Sequence, residues 1–117
     1  MKSLKFLFIL IFVFANISLA QKTIVSDSAK SFLGQEVIVK GVVTQVSISK
    51  SGTVYFNIDG RYPDNKISGV IFKKDVEKFG DLKYWEGKLI GIQGKIEEYK
   101  GSLEIILKTQ GQLKFYN

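Results

Sequence analysis

The chemistry open to this chain is narrowed first by what it lacks, since its 117 residues include neither His nor Cys. Zinc and haem sites built on those side chains, thiol chemistry and a histidine acid–base relay are therefore excluded. What remains is a population of carboxylates, lysines and aromatic rings. Within it, Arg61 is the only arginine among 17 basic residues. Its planar guanidinium can lie flat on an aromatic ligand or grip a phosphate through two parallel hydrogen bonds, which a lysine cannot do. The chemistry on offer is recognition of something flat, anionic or both.

The elements that must position these groups begin after a leader. Lys2 and Lys5 form a basic start, Phe6 to Phe14 is a continuous apolar run, and Ser18-Leu19-Ala20 has the small-x-small form of a cleavage site. The run is well short of the ~20 residues that span a bilayer. Residues 1–20 are expected to be a cleaved signal peptide, and residues 21–117 a single exported domain, periplasmic or secreted, with no membrane attachment in the mature form. No Cys follows the apolar run, so lipid anchoring is not expected. Without Lys2 and Lys5 the formal charge of +6 falls to +4, a moderate positive balance compatible with a polyanionic partner. An exported domain of this size without disulfides must draw its stability from sheet packing, which suits a closed barrel.

Two stretches of the domain echo each other, LGQEVIVKGVV at 33–43 and EGKLIGIQGKI at 86–96. Their glycines match at 34/87 and 41/94, and their apolar beat matches at Val37/Ile90, Val39/Ile92 and Val43/Ile96. Each reads as an alternating strand interrupted by glycine, the mark of a bulge or a barrel corner. The first strand runs from Glu36 to Ser49, and a slip in apolar phase between Val43 and Val46 predicts a bulge. Lys50-Ser51-Gly52 reads as a turn. The second strand, Thr53 to Asp59, directs Val54, Phe56 and Ile58 inward and Tyr55 and Asn57 outward. A polar loop from Gly60 to Lys66 leads to a third strand, Ile67 to Phe72. Residues 73–86 switch to helical spacing, with Val76, Phe79, Leu82 and Trp85 capping the core and Gly80-Asp81 interrupting the helix. Fourth and fifth strands are expected at Lys88–Tyr99 and Leu103–Lys108, with Leu113 and Phe115 completing an edge. Before the first strand, Ser26, Asp27 and Ser28 are candidate caps for a short lead-in.

This order, with two glycine-bent strands and a helix between the third and fourth, resembles the oligonucleotide/oligosaccharide-binding (OB) fold, an all-β, five-stranded Greek-key barrel. The text GVVTQV, TVYFNIDGRYP, GVIFKKDVEKF and EGKLIGIQGKIEEYKGSLEIIL is similar to small nucleic-acid-binding OB domains. In that fold the ligand crosses the second and third strands between two flanking loops. The resemblance therefore implies a surface made of Tyr55 and Asn57 on strand two, Arg61 and Tyr62 in the next loop, Phe72 and Lys73 at the exit of strand three, and Lys50, Tyr99 and Lys100 in the flanking turns. Aromatic rings beside cations suit single-stranded nucleic acid, because bases stack on rings while phosphates meet Lys or Arg.

Each of these residues also has a structural role open to it. Phe72 can close the core, Tyr55 can simply pack on the sheet, Tyr62-Pro63 can pin a loop, and the lysines can solvate turns. The expectation is a non-enzymatic binding protein for single-stranded nucleic acid, without cofactor or metal. A protein- or glycan-binding module is the alternative. A metal-dependent nuclease would need Asp59, Asp64 and Arg61 to converge, and their spacing matches no catalytic motif.

Overall fold

The computed structural model describes residues 21–116; the leader expected at 1–20 lies outside the described residues. Eight strands form one continuous hydrogen-bonded system: β1 Thr23–Val25, β2 Glu36–Ile48, β3 Val54–Ile58, β4 Ile67–Ile71, β5 Leu89–Lys95, β6 Glu97–Tyr99, β7 Ser102–Ile106 and β8 Leu113–Phe115. The five expected strands are all present. The fourth is split at Ile96 into β5 and β6, β8 forms the edge expected at Leu113 and Phe115, and one short strand, β1, is added at the start.

β2 is long enough to serve both halves of the barrel. Its first half pairs antiparallel with β5, its second half with β3. The sheet continues through β4 to β7, which pairs with β6, the continuation of β5 past the Ile96 corner. The strands thus close on themselves. The bulge predicted in β2 lies between Val43 and Gln45. Thr44, the residue left over there, has its hydroxyl 3.0 Å from the Asn57 carbonyl, to which it can donate, and accepts the Gly60 N–H at 2.9 Å.

The sequence echo has a geometric meaning. β2 and β5 pair so that Val37 faces Gly94, Gly41 faces Ile90, and Val39 faces Ile92. These partners exchange under the repeat, so a local two-fold axis passes through the Val39–Ile92 pair. The outer bonds obey the same symmetry. Gly34 N–H donates to the Ile96 carbonyl at 2.8 Å and Gly87 N–H to the Val43 carbonyl at 2.7 Å. Ile96 N–H donates to Gln35 and Val43 N–H to Lys88 in the same way. Gly34 and Gly87 have φ of 85° and 86°, the left-handed region that glycine enters without a steric cost.

The core follows the alternation. Val37, Val39 and Val43 from one repeat meet Ile90, Ile92 and Ile96 from the other around Phe56, all buried. One end of the barrel is plugged by residues 73–85. These form two 3-10 segments, Lys73–Phe79 and Leu82–Trp85, rather than the single short helix expected, because Gly80 at φ 67° and Asp81 break the run. Phe79 packs edge-on to Phe56 at 6.5 Å between ring centroids, and the Trp85 indole N–H donates to the Phe79 carbonyl at 3.1 Å. The lead-in, Ser26–Phe32, is also 3-10, and none of Ser26, Asp27 or Ser28 caps it: the N-cap is Val25, without a side-chain bond. Ser26 instead donates to the Asp59 carboxylate, which also accepts the Val42 N–H at 2.9 Å.

A Cβ at Gly41 would run into Ile58 and Asp59, and one at Gly94 would come within 2.6 Å of Ile105. Gly41→Ala and Gly94→Ala are each expected to destabilise the fold by about 1–3 kcal/mol, read as a lower urea midpoint with unchanged slope. Gly111→Ala, whose Cβ meets nothing closer than 3.6 Å, is expected to stay within about 0.5 kcal/mol of the parent.

Candidate nucleic-acid interface

The outward faces of the strands line up in rows because their register is continuous. One row reads Gln45, Asn57, Ser68, Glu104 across β2, β3, β4 and β7, and the next reads Ser47, Tyr55, Val70, Ile106. The first row is polar throughout. Asn57 donates to Gln45 at 3.0 Å and to Ser47 at 2.8 Å, and accepts from Ser68 at 2.8 Å. Asn65, in the loop before β4, donates to Ser68 at 2.8 Å. Gln45 also accepts the backbone N–H of Tyr62 at 2.9 Å, which ties the loop to the sheet.

Above this floor lies a groove of about 680 Å³. One wall is the 62–66 loop, with Tyr62, Pro63, Asn65 and Lys66. The opposite wall is the β6–β7 hairpin, with Glu98, Tyr99 and Lys100, and Lys30 of the lead-in also faces it. The hairpin turns through Lys100 and Gly101, both at positive φ (51° and 82°), the geometry of a two-residue type I′ loop. That turn holds the Lys100 ammonium 5.3 Å from the centre of the Tyr99 ring. Tyr62 and Tyr99 are 72% and 59% exposed, whereas Tyr55 lies half-buried on the floor between them. Three phenol rings and three lysines thus address one depression.

Five of the nine residues assigned from sequence come together here: Tyr55, Asn57, Tyr62, Tyr99 and Lys100. Asn57 differs from expectation in being buried, its donors and acceptor used inside the protein. Arg61, Lys50, Phe72 and Lys73 are exposed but do not line the groove. Arg61 precedes Tyr62 in the loop but, unlike it, is not among the residues that line the groove. Phe72 is 43% exposed at the far end of β4, past the groove. The stem of Lys73 lies along the 50–52 turn, close beside Gly52.

The carboxylates near this surface divide between internal partners and the groove. The Asp59 carboxylate is occupied by Ser26 and Val42, which removes it from the nuclease arrangement with Asp64 and Arg61. Asp75 is buried and bonded to Lys78, and that bond, with the neighbouring lysines, holds its carboxyl below the usual range. The acids that do reach the groove are Glu98 and Glu104. Burial, then the Glu97 charge directly across the ladder, push the Glu104 carboxyl up. Lys66 is shared with Asp27 at 3.4 Å, an exposed pair. The groove is therefore mixed in charge, with lysines at its rim and acids at one side.

Sequence reasoning missed Gln45, Ser47, Asn65, Ser68, Lys30, Lys66 and the two acids. Alternation would have found Ser68, which follows the core residue Ile67, and alternation corrected for the bulge after Val43 would have found Gln45. Lys30 and Lys66 carry no such signal, because loop paths bring them in.

Comparison with known proteins agrees with this geometry. The family described as an OB-fold nucleic acid binding domain matches residues 17–113. Among solved structures, a putative aspartyl-tRNA synthetase from Leishmania major Friedlin superposes with a TM-score of 0.54 at 7% identity, over 78% of this chain and 20% of that one. The chain spans about a fifth of the synthetase's length, and at that identity the likeness is one of fold. A search of curated proteins found no match. With the family match running through the whole barrel, from the lead-in to β8, the chain belongs to the OB-fold nucleic-acid-binding domains.

Proposed function

We propose that this protein binds single-stranded nucleic acid in the groove between the 62–66 loop and the β6–β7 hairpin, and that it does so after export. The observation that carries the reading is the convergence of Tyr55, Tyr62 and Tyr99 on one groove rimmed by Lys30, Lys66 and Lys100. Bases stack on the rings and successive phosphates meet the lysines, a mode that tolerates any sequence because every base has a π face. A duplex, whose bases are stacked within the helix, would offer the rings only its backbone and base edges. Membership of a nucleic-acid-binding family supports the ligand class. The apolar segment Phe6–Phe14 and the Ala20 site support export.

The acids Glu98 and Glu104 beside aromatic rings also favour a second reading, a neutral glycan held by stacking and hydroxyl bonds. The two readings separate on salt. For single-stranded nucleic acid, log K falls with log salt by about 0.7 per phosphate contact. Three lysines then give a slope of about −2 for a fluorescein-labelled oligo(dT), followed by polarisation. A glycan bound instead, with no slope, would replace the nucleic-acid reading.

Tyr99→Ala and Tyr62→Ala are each expected to weaken oligonucleotide binding by about 1–3 kcal/mol. Both rings are mostly exposed, so thermal stability should hold. Arg61→Ala, which removes a side chain that does not line the groove, is expected to cost less than either. Titrations in which both tyrosine variants bind like the parent would place the strand elsewhere.

A further inference from the structure

We infer that Glu104 selects among bases: its carboxylate accepts a hydrogen bond from the amino group of a base stacked in the groove, so the site prefers amine-bearing bases to thymine or uracil. This rests on the nucleic-acid reading above and deepens it.

Glu104 is held in place by its strand. Its neighbour Ile105 is fully buried, and parallel pairing sets Glu104 beside Ser68, at the end of the polar row that floors the groove. The rest of that row is already committed. Asn57 has spent both amide donors and its acceptor, and Ser68 both donates and accepts. Glu104 differs. Among the described residues its carboxylate accepts no side-chain or backbone hydrogen bond and has no lysine or arginine within ion-pair distance. Half-buried, it instead faces Glu97 directly across the β6–β7 ladder, an arrangement of like charges that costs stability.

A carboxylate in that position has acceptor capacity only. It repels phosphate, so a strand crossing the groove must turn its backbone to the lysine rim and its bases toward β7. Cytosine then offers its N4 amine, the donor that Glu and Asp accept in base recognition. Adenine and guanine offer amines too. Thymine and uracil present a single imino donor flanked by two carbonyl oxygens, which a carboxylate opposes.

The test is polarisation with labelled oligo(dC) and oligo(dT), two pyrimidine strands of equal length, at one salt concentration. The full chain is expected to bind oligo(dC) about tenfold more tightly, the scale of one good base contact. Glu104→Gln keeps the shape, removes the charge and adds a donor, and should bring the ratio to about one by strengthening oligo(dT). Glu98→Gln removes the same charge from the exposed wall and should strengthen both strands while keeping the ratio. Equal affinities in the parent, or a ratio that Glu98→Gln shifts as far as Glu104→Gln, would overturn the inference while leaving strand binding intact. Failure of both oligonucleotides to bind would overturn the binding reading with it.

Stability supplies a separate check on the variant. The charged group directly opposite Glu104 is Glu97 on β6, and the other charged groups lining the same groove are Glu98, Lys100, Lys30 and Lys66. Because its carboxyl is pushed up in the folded state, ionised Glu104 costs stability above that raised value. Glu104→Gln should therefore raise the unfolding midpoint at neutral pH, and the gain should fade as pH falls through the carboxylate range. A lowered midpoint at neutral pH would show the carboxylate already partnered within the protein, and would overturn the inference.

Discussion

The pairing of the two echoed strands is the constraint from which the rest of the molecule follows. β2 and β5 meet about a two-fold axis through Val39 and Ile92, and each repeat's leading glycine donates to the residue that ends the other repeat. Register is thereby closed at both ends. A slip of one residue would break these terminal bonds and turn Val37, Val39, Ile90 and Ile92 out of the core. With this pair fixed, β2 has only its second half left for β3, and the bulge at Thr44 marks the point where it changes partner. Ile96 is the matching corner on the other strand, where β5 becomes β6. Two corners of related origin close a barrel from strands that could not do so flat.

Closure also decides what the outside can do. Because β2, β3, β4 and β7 run in continuous register, side chains that leave the core gather in rows instead of scattering. The row from Gln45 to Glu104 is polar, but most of its hydrogen-bonding capacity is consumed within the protein. That consumption stiffens the floor: Gln45 anchors the Tyr62 backbone and Asn65 anchors the start of β4. A groove whose floor has satisfied itself offers a ligand chiefly its rings, its rim charges and the acids Glu98 and Glu104.

Much of the fold was legible because periodicity and glycine placement report directly on backbone geometry. Val54, Phe56 and Ile58 were assigned to the interior by alternation, and they are there. The slip between Val43 and Val46 located the bulge, and the break between strands expected to end at Tyr99 and resume at Leu103 located the hairpin. The misses have a common physical origin. Alternation says which way a side chain points but not what lies over it, so Asn57 points outward as expected and is nonetheless covered by Gln45, Ser47 and Ser68. Helical spacing in Val76, Phe79, Leu82 and Trp85 fixed which residues plug the barrel, but 3-10 and α turns share enough of that spacing to be confused. Arg61 was favoured for its chemistry, and chemistry carries no information about whether a loop residue reaches the groove.

The charge of the chain misleads in a related way. A formal +6 over the sequence suggests a surface that attracts polyanions broadly. In the groove the lysines lie at the rim, and one of them, Lys66, is shared with Asp27, while Glu98 and Glu104 stand within. Electrostatics of this kind cannot drive tight binding through phosphates alone. On the proposed reading, the weight of recognition passes to the rings and to the orientation of the bases. The acids then have a function that a uniformly basic groove would lack. They exclude the backbone from the floor, so a strand lies in the groove bases first, the only arrangement in which a base edge can be read.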